Sequence, residues 1–167
     1  MECRECLKLF EGIGNALNAP MDTPEYLSEI AGVLVRHFGV AGCLIRLLSR
    51  DRRALEEFAS YGLSDRFLRK GPVDPEVSAR EAVEGKAVVI HDCATDPRIQ
   101  YPAAHAEEGF QSVVIVPLST RGQTVGVLKL YAKDRREFGD FSVRLKSTDA
   151  KLTQLLRSSP TTQGSNQ

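Results

Sequence analysis

Two strongly apolar stretches, Ser112–Ser119 (SVVIVPLS) and Thr124–Tyr131 (TVGVLKLY), constrain this chain more than any other feature. Only Thr120, Arg121, Gly122 and Gln123 separate them, with glycine at the tight position. Short apolar runs rich in β-branched residues and joined by a glycine turn predict an antiparallel hairpin of central strands.

The rest of the chain supplies what must surround that hairpin. Leu27, Ile30, Leu34 and Phe38 recur at helical spacing after Thr23-Pro24, an N-cap with proline at the first helical position, and Gly39 ends the run. Cys43 to Leu48 alternates, with Cys43, Ile45 and Leu47 on one face and Leu44, Arg46 and Leu48 on the other. Ser49 to Arg53 is a charged turn leading into a second strand, Ala54 to Tyr61, closed by Gly62. Between Leu63 and Gly109 the spacing predicts short helices at Ser64–Arg69, Pro75–Glu84 and Tyr101–Glu108, with one strand at Ala87–His91.

At each end a further helix is predicted. Cys3, Leu7, Phe10, Gly14 and Leu17 form one stripe, and Phe141, Leu145, Thr148, Leu152 and Leu155 repeat at four-three spacing. Leu7, Phe10, Leu17, Leu145, Leu152 and Leu155 lie on these seams, faces that pack on another helix. Residues 1–157 read as one domain, and residues 158–167, which lack any apolar side chain, as a disordered tail.

Composition narrows the functional classes. The 167 residues carry 22 Lys plus Arg against 22 Asp plus Glu, so no overall field attracts nucleic acid or an anionic membrane. No apolar run is long enough to span a bilayer. Four cysteines, Cys3, Cys6, Cys43 and Cys93, are too few and too unevenly placed for a secreted disulfide framework, and a reducing cytoplasm is expected.

This order of elements predicts an α+β domain, an antiparallel sheet with helices segregated to its faces. The local text is more specific: Val89-Ile90-His91-Asp92, Asp96-Pro97-Arg98, Gly109-Phe110-Gln111-Ser112, Val116-Pro117-Leu118 and Gly122-Gln123-Thr124-Val125-Gly126-Val127-Leu128 follow one another. In that order they resemble the GAF family of sensory modules over roughly Thr23 to Leu156. The resemblance implies a sheet of about six strands, a helical bundle on one face that forms a homodimer with those seam residues as its interface, and a ligand cavity under loops and short helices on the other.

The same resemblance places Asp92, Cys93, Asp96, Arg98, Tyr101 and His105 at the cavity border, with Cys43, Ile45, Phe58, Tyr61, Phe67, Ile90 and Phe110 as further candidate lining residues. A few convergent polar groups in an otherwise apolar chamber would orient a polar ligand. Arg98 could equally pair with Asp96 or Asp92 and only staple the turn. Phe58, Tyr61, Phe67, Ile90, Tyr101 and Phe110 could instead fill the chamber as ordinary core.

Familiar activities of the family can be tested on the residues. Cyclic-nucleotide binders carry an Asn-Lys pair, a Phe and an acidic pair; here Ala132-Lys133 and Phe138 stand, and Gly139-Asp140-Phe141 supplies no acidic pair. Bilin attachment uses a cysteine followed by histidine, whereas Ala94 follows Cys93. The cysteine set of free methionine sulfoxide reductases is not recognisable. His37, His91 and His105 are the imidazoles that could hold haem, and Cys3 with Cys6 is the weak candidate for metal or redox chemistry. No cofactor is clearly implied.

The expectation is therefore a non-enzymatic sensor: a small ligand changes helices that signal to an effector domain or protein partner. The alternatives are a structural dimerisation module with a filled cavity, a thiol or metal sensor, or a sulfoxide reductase.

Overall fold

A computed structural model describes residues 23–120, 122–136 and 138. The elements are α1 (Thr23–Phe38), β1 (Gly42–Leu48), β2 (Leu55–Tyr61), α2 (Asp65–Leu68), α3 (Pro75–Ser78), α4 (Arg80–Val83), β3 (Val88–Ile90), α5 (Pro102–Glu108), β4 (Ser112–Thr120) and β5 (Gln123–Ala132). The expected end helices at 2–18 and from 141 onward, the dimer-interface leucines, Cys3, Cys6 and the tail lie outside the described residues.

The β4–β5 hairpin does occupy the middle of the sheet. Thr120 pairs with Gln123 across the turn, and Gly122 takes a φ of +75°, which glycine adopts without a Cβ penalty. The strand order is β2-β1-β5-β4-β3, with every pairing antiparallel. The described sheet thus has five strands where about six were expected. Pro117 lies two residues beyond Ile115, the last β4 residue paired with β3. The register slips just past Pro117, between Leu118 and Ser119, so the bulge lies beside the proline.

Gly126 explains how closely β1 approaches β5: a Cβ there would meet the Arg46 carbonyl oxygen at 2.3 Å. Any side chain would force the two strands apart.

Alternation divides the sheet into two faces. Cys43 and Ile45 from β1, Val114, Val116 and Leu118 from β4, and Leu128 and Leu130 from β5 pack on one face with Leu27, Ile30, Leu34 and Phe38 of α1. Helical spacing on α1 meets period-two spacing on the strands, and each fully buried leucine or isoleucine contributes about 1.5–3 kcal/mol. The helix ends where Gly39 turns to a φ of +60°. The second face, carrying Leu44, Ile90, Val113, Ile115, Val127 and Tyr131, is covered by the segments on either side of β3 through Phe67, Val73, Ala82 and Phe110.

That covering segment is more broken than the sequence spacing predicts. The helix expected over 75–84 is two single turns, α3 and α4, interrupted at Ala79, whose φ of −151° and ψ of 21° depart from the helical range. Asp74 caps α3 by accepting from the Glu76 amide, and Ser64 caps α2 by accepting from the Phe67 amide. Short elements hold the roof through their caps and loop bonds, which leaves space beneath it.

Candidate functional site

A small cavity, with about 20 Å³ of room for a water-sized occupant, lies between the roof and the second face of the sheet and opens toward solvent. Its floor comes from the sheet: Arg46 of β1, Lys129 and Tyr131 of β5, and Val113 and Ile115 of β4. Pairing of Leu44 with Lys129, and of Arg46 with Val127, puts Arg46 and Lys129 on the same face one diagonal step apart. Both side chains are deeply buried, Arg46 at 5% and Lys129 at 8% exposure.

Two loops form the walls. Pro72 to Asp74 is strapped down by three bonds: Tyr101 Oη and Gln100 Nε2 donate to the Pro72 carbonyl at 2.6 and 3.1 Å, and the Asp74 amide donates to Gln100 Oε1 at 3.0 Å. The Tyr101 ring closes over Gly71, where a Cβ would meet the phenol oxygen at 2.5 Å. The Leu55 amide also donates to the Val73 carbonyl at 3.3 Å, tying the strap to β2. The opposite wall carries Ser78, Arg98 and Ile99.

His105 and an aromatic cluster close one end. The rings of Phe67, His105, Phe110 and Tyr131 pack with centroids 5.0–6.4 Å apart. Aromatic pairs at such separations prefer tilted or offset geometry, as found here. Burial pushes the His105 imidazole down to about 4, so it is neutral at physiological pH. Its Nδ1 lies 2.8 Å from the Tyr101 carbonyl, a bond that positions the ring as part of the wall.

The basic groups of the cavity differ in how they are satisfied. Arg98 directs Nε and Nη2 to the two Asp96 carboxylate oxygens at 2.9 and 2.7 Å, and Nη1 to Glu81 at 3.2 Å. Hydrogen bonding from Arg98 in turn holds the Asp96 carboxyl below its ordinary range. Arg46 Nη1 donates to the Leu55 carbonyl at 3.0 Å, while its buried Nε has no partner. Lys70 donates to the Phe67 carbonyl at 3.2 Å with its ammonium 4.1 Å from the Phe67 ring centre. Burial, reinforced by Arg46 and Lys70, pushes Lys129 down to about 7.

Of the sequence-derived candidates, Arg98, Tyr101 and His105 line the cavity. Phe67, Ile90, Cys93 and Phe110 belong to the buried core on the same side of the sheet. Asp92 accepts from the Ala94 amide and from Arg135 Nη2, both at 3.0 Å, and Asp96 accepts from the Arg98 amide at 2.9 Å. Those carboxylates build the turn.

Four candidates require correction. Cys43 and Ile45 face α1, because strand alternation commits the odd positions of β1 to the helix side. Phe58 is the extra residue of a bulge, since Ile45 pairs with Ala59 and Arg46 with Glu57; it packs on the helix-side core. Tyr61 is 42% exposed and lies over Gly32 of α1, beneath the Arg36 guanidinium. None of the four lines the cavity.

Sequence reasoning missed the floor cations Arg46 and Lys129, and Lys70 at the wall. The alternation of β1 did set Arg46 opposite Cys43 and Ile45, and a lone lysine in TVGVLKLY was visible. The signal was a basic residue on a central strand, where water is excluded.

The remaining thiols and imidazoles are dispersed. Burial raises both Cys43 and Cys93, the latter to about 11, so neither is a thiolate at neutral pH. His37 stacks edge-on against Phe38, and exposed His91 lies 3.2 Å from the Arg136 carbonyl. Among the described residues no group of His, Cys, Asp or Glu is placed to hold a metal ion, and no helix is long and apolar enough to cross a membrane.

A five-stranded antiparallel sheet, with a helix packed on one face and a roofed cavity on the other, defines an α+β domain. The GAF domain profile matches residues 20–148, and the chain belongs to that family. The fold is similar to the GAF domain of a phosphoenolpyruvate-protein phosphotransferase from Coxiella burnetii, at 14% identity and TM-score 0.80, covering 94% of this chain and 95% of that one. It is similar to free methionine-R-sulfoxide reductase from Neisseria meningitidis, at 19% identity and TM-score 0.74, covering 91% and 87%. It is also similar to a methyl-accepting chemotaxis protein, at 20% identity and TM-score 0.67, covering 87% and 94%. No curated protein sequence matches the chain.

Proposed function

We propose that this GAF domain is a sensory, regulatory module that binds a small molecule in the cavity between sheet and roof. The observation that carries the reading is the polar floor. Arg46, Lys129 and Tyr131 occupy sheet positions that packing alone would fill with aliphatic side chains, and they border a small cavity under a roof held by caps and loop bonds. Pockets that recognise a metabolite combine apolar walls with a few fixed polar groups in this manner. A ligand touching the Pro72–Asp74 strap and the sheet floor together would shift the roof relative to the strands, and the end helices would pass that shift to an effector domain or to a second copy of the chain.

The phenylalanine-rich end of the chamber favours a second reading, a structural dimerisation module. Phe67 and Phe110 pack as buried core against His105 and Tyr131 of the lining. Catalysis by thiol reduction finds no support in Cys43 and Cys93, which are protonated and separated by the sheet.

Native mass spectrometry of freshly purified protein, combined with thermal melts across a metabolite panel of charged and uncharged compounds, separates the two readings. A retained mass or a concentration-dependent stabilisation supports sensing. An apo dimer whose melting temperature no compound moves supports the scaffold.

A further inference from the structure

The charges around the cavity do not balance locally. Arg46, Lys70 and Lys129 line it, and no carboxylate does. The acids nearby are engaged elsewhere: Asp96 and Glu81 hold Arg98, Glu107 holds Arg66 outside the mouth, Asp92 holds Arg135, and Asp74 caps α3. Glu57, opposite Arg46 in register, is exposed and forms no ion pair within 4 Å among the described residues. Two cations nine-tenths buried on one face of a central sheet, with a third beside them, repel one another and have lost most of their water. Such an arrangement is costly unless an opposite charge joins it.

We infer that the cavity marks the seat of a compact organic anion, whose carboxylate or phosphate group lies between Arg46 and Lys129 and whose entry displaces the roof so that its short apolar part rests against Val73, Val113 and Ile115. This rests on the cavity reading above and names the chemical class of its ligand.

The geometry assigns a role to each cation. The bond from Arg46 Nη1 to the Leu55 carbonyl fixes the guanidinium plane. Its Nε is buried without a partner, a charged donor that an anion entering beside it would satisfy. Lys129 contributes a point charge from the neighbouring strand. Lys70, held by the Phe67 carbonyl and ring, stands where the cavity meets an outer groove that also carries Arg66 and Arg69. That basic groove draws anions toward the mouth. Three positive charges suit a group carrying two negative ones, such as a dicarboxylate or a phosphate monoester.

Titration supports the same arrangement. Burial and the mutual repulsion of Arg46, Lys70 and Lys129 lower Lys129 to about 7 and Lys70 to about 8; Glu57 opposes the effect at Lys70 and Arg46. The other titratable groups facing this floor are His105, neutral, and Tyr131, whose phenol burial pushes up. An entering dianion reverses the penalty on Lys129, so binding above neutral pH takes up a proton.

The test uses the full chain with succinate, glycerol phosphate and inorganic phosphate as probes, and succinamide and glycerol as their uncharged counterparts. Thermal melts and titration calorimetry up to about 10 mM should show stabilisation by at least one anion and by neither neutral compound. Preference between succinate and the phosphates identifies the head group. Lys129→Met and Arg46→Gln should each weaken that anion about tenfold or more, with Arg46→Lys intermediate. Calorimetry near pH 8 in Tris and in HEPES should give different enthalpies for the wild type and a smaller difference for Lys129→Met, in which only Lys70 remains to take up a proton. Lys129→Met removes a buried charge and keeps an apolar stem, so it should melt no lower than the wild type.

Equal binding of succinamide, undiminished binding in folded Lys129→Met, or silence from every anion overturns the assignment. An uncharged metabolite retained in native mass spectrometry, with the anions silent, overturns the anion alone and leaves the sensory reading intact. Silence from the whole panel removes both.

Discussion

The two faces of one sheet obey different rules. On the helix side, β1 and β5 present Cys43, Ile45, Leu128 and Leu130 to α1, and the packing is apolar throughout. One residue along each strand, the other face presents Arg46 and Lys129 to a chamber. Arg46 and Lys129 are only 5% and 8% exposed, close to the helix-side core, so exposure does not explain the difference. The helix side is a finished core whose stability comes from area removed from water. The cavity side retains groups that weaken the folded chain, which points to a function that needs them.

The sharpest way to break this comparison is to move the charge by one residue. Leu130→Lys puts an ammonium into the α1 interface, where no space and no acid await it, and should cost about 4–5 kcal/mol or unfold the domain. Chemical denaturation against the wild type measures it. If Leu130→Lys were tolerated as Lys129 is, the cavity would have no claim to special chemistry. A smaller loss tests the helix side alone: Leu34 is fully buried in α1, and Leu34→Ala should cost about 2–5 kcal/mol without altering anion affinity in whatever fraction remains folded.

The reverse substitution should stabilise. Lys129 has an ordinary value of 10.5 and a folded value of about 7, so between those pH values the unfolded chain binds more protons than the folded one. Stability contributed through this group therefore rises as pH increases from about 7 toward 10, with a limiting slope of about 1.4 kcal/mol per pH unit for one proton. Lys129→Met should flatten that slope and raise stability at neutral pH by about 1–2 kcal/mol. Urea unfolding of both proteins at several pH values gives the two slopes. Parallel slopes would show that the ammonium is better solvated than its 8% exposure implies.

The sequence made the helix side legible and the cavity side largely illegible, for a physical reason. Leu27, Ile30, Leu34 and Phe38 announce their face by period, as do the alternating residues of β1, because hydrophobic burial leaves a repeating pattern. The family motifs from Val89 to Leu128 likewise marked the strands and turns of the second half. A cavity has no period. Its lining is gathered from β1, β4, β5 and the roof, and the apolar candidates Cys43, Ile45 and Phe58 attracted attention because they looked like pocket walls. Phe58 was further concealed by a bulge, which moves a side chain to the other face without any mark in the composition.

The smallest expected effect concerns Arg98, which the motif Asp96-Pro97-Arg98 made the most conspicuous candidate. Its side chain borders the cavity, yet all three guanidinium nitrogens are directed to Asp96 and Glu81. A cation so engaged has little left to offer a ligand. Arg98→Ala should lower stability by only about 0.5–1 kcal/mol, because the pair is partly exposed and screened. The Asp96 carboxyl, held low by Arg98, contributes stability that is present above the ordinary carboxylate range and lost as pH falls through its folded value. The difference between Arg98→Ala and the wild type should therefore shrink on acidification from about pH 7 to about pH 3. Anion affinity should change by less than about threefold, against tenfold or more for the floor cations. A large loss of affinity with the fold intact would mean that Arg98 releases Asp96 on binding, and the division between paired rim and unpaired floor would have to be redrawn.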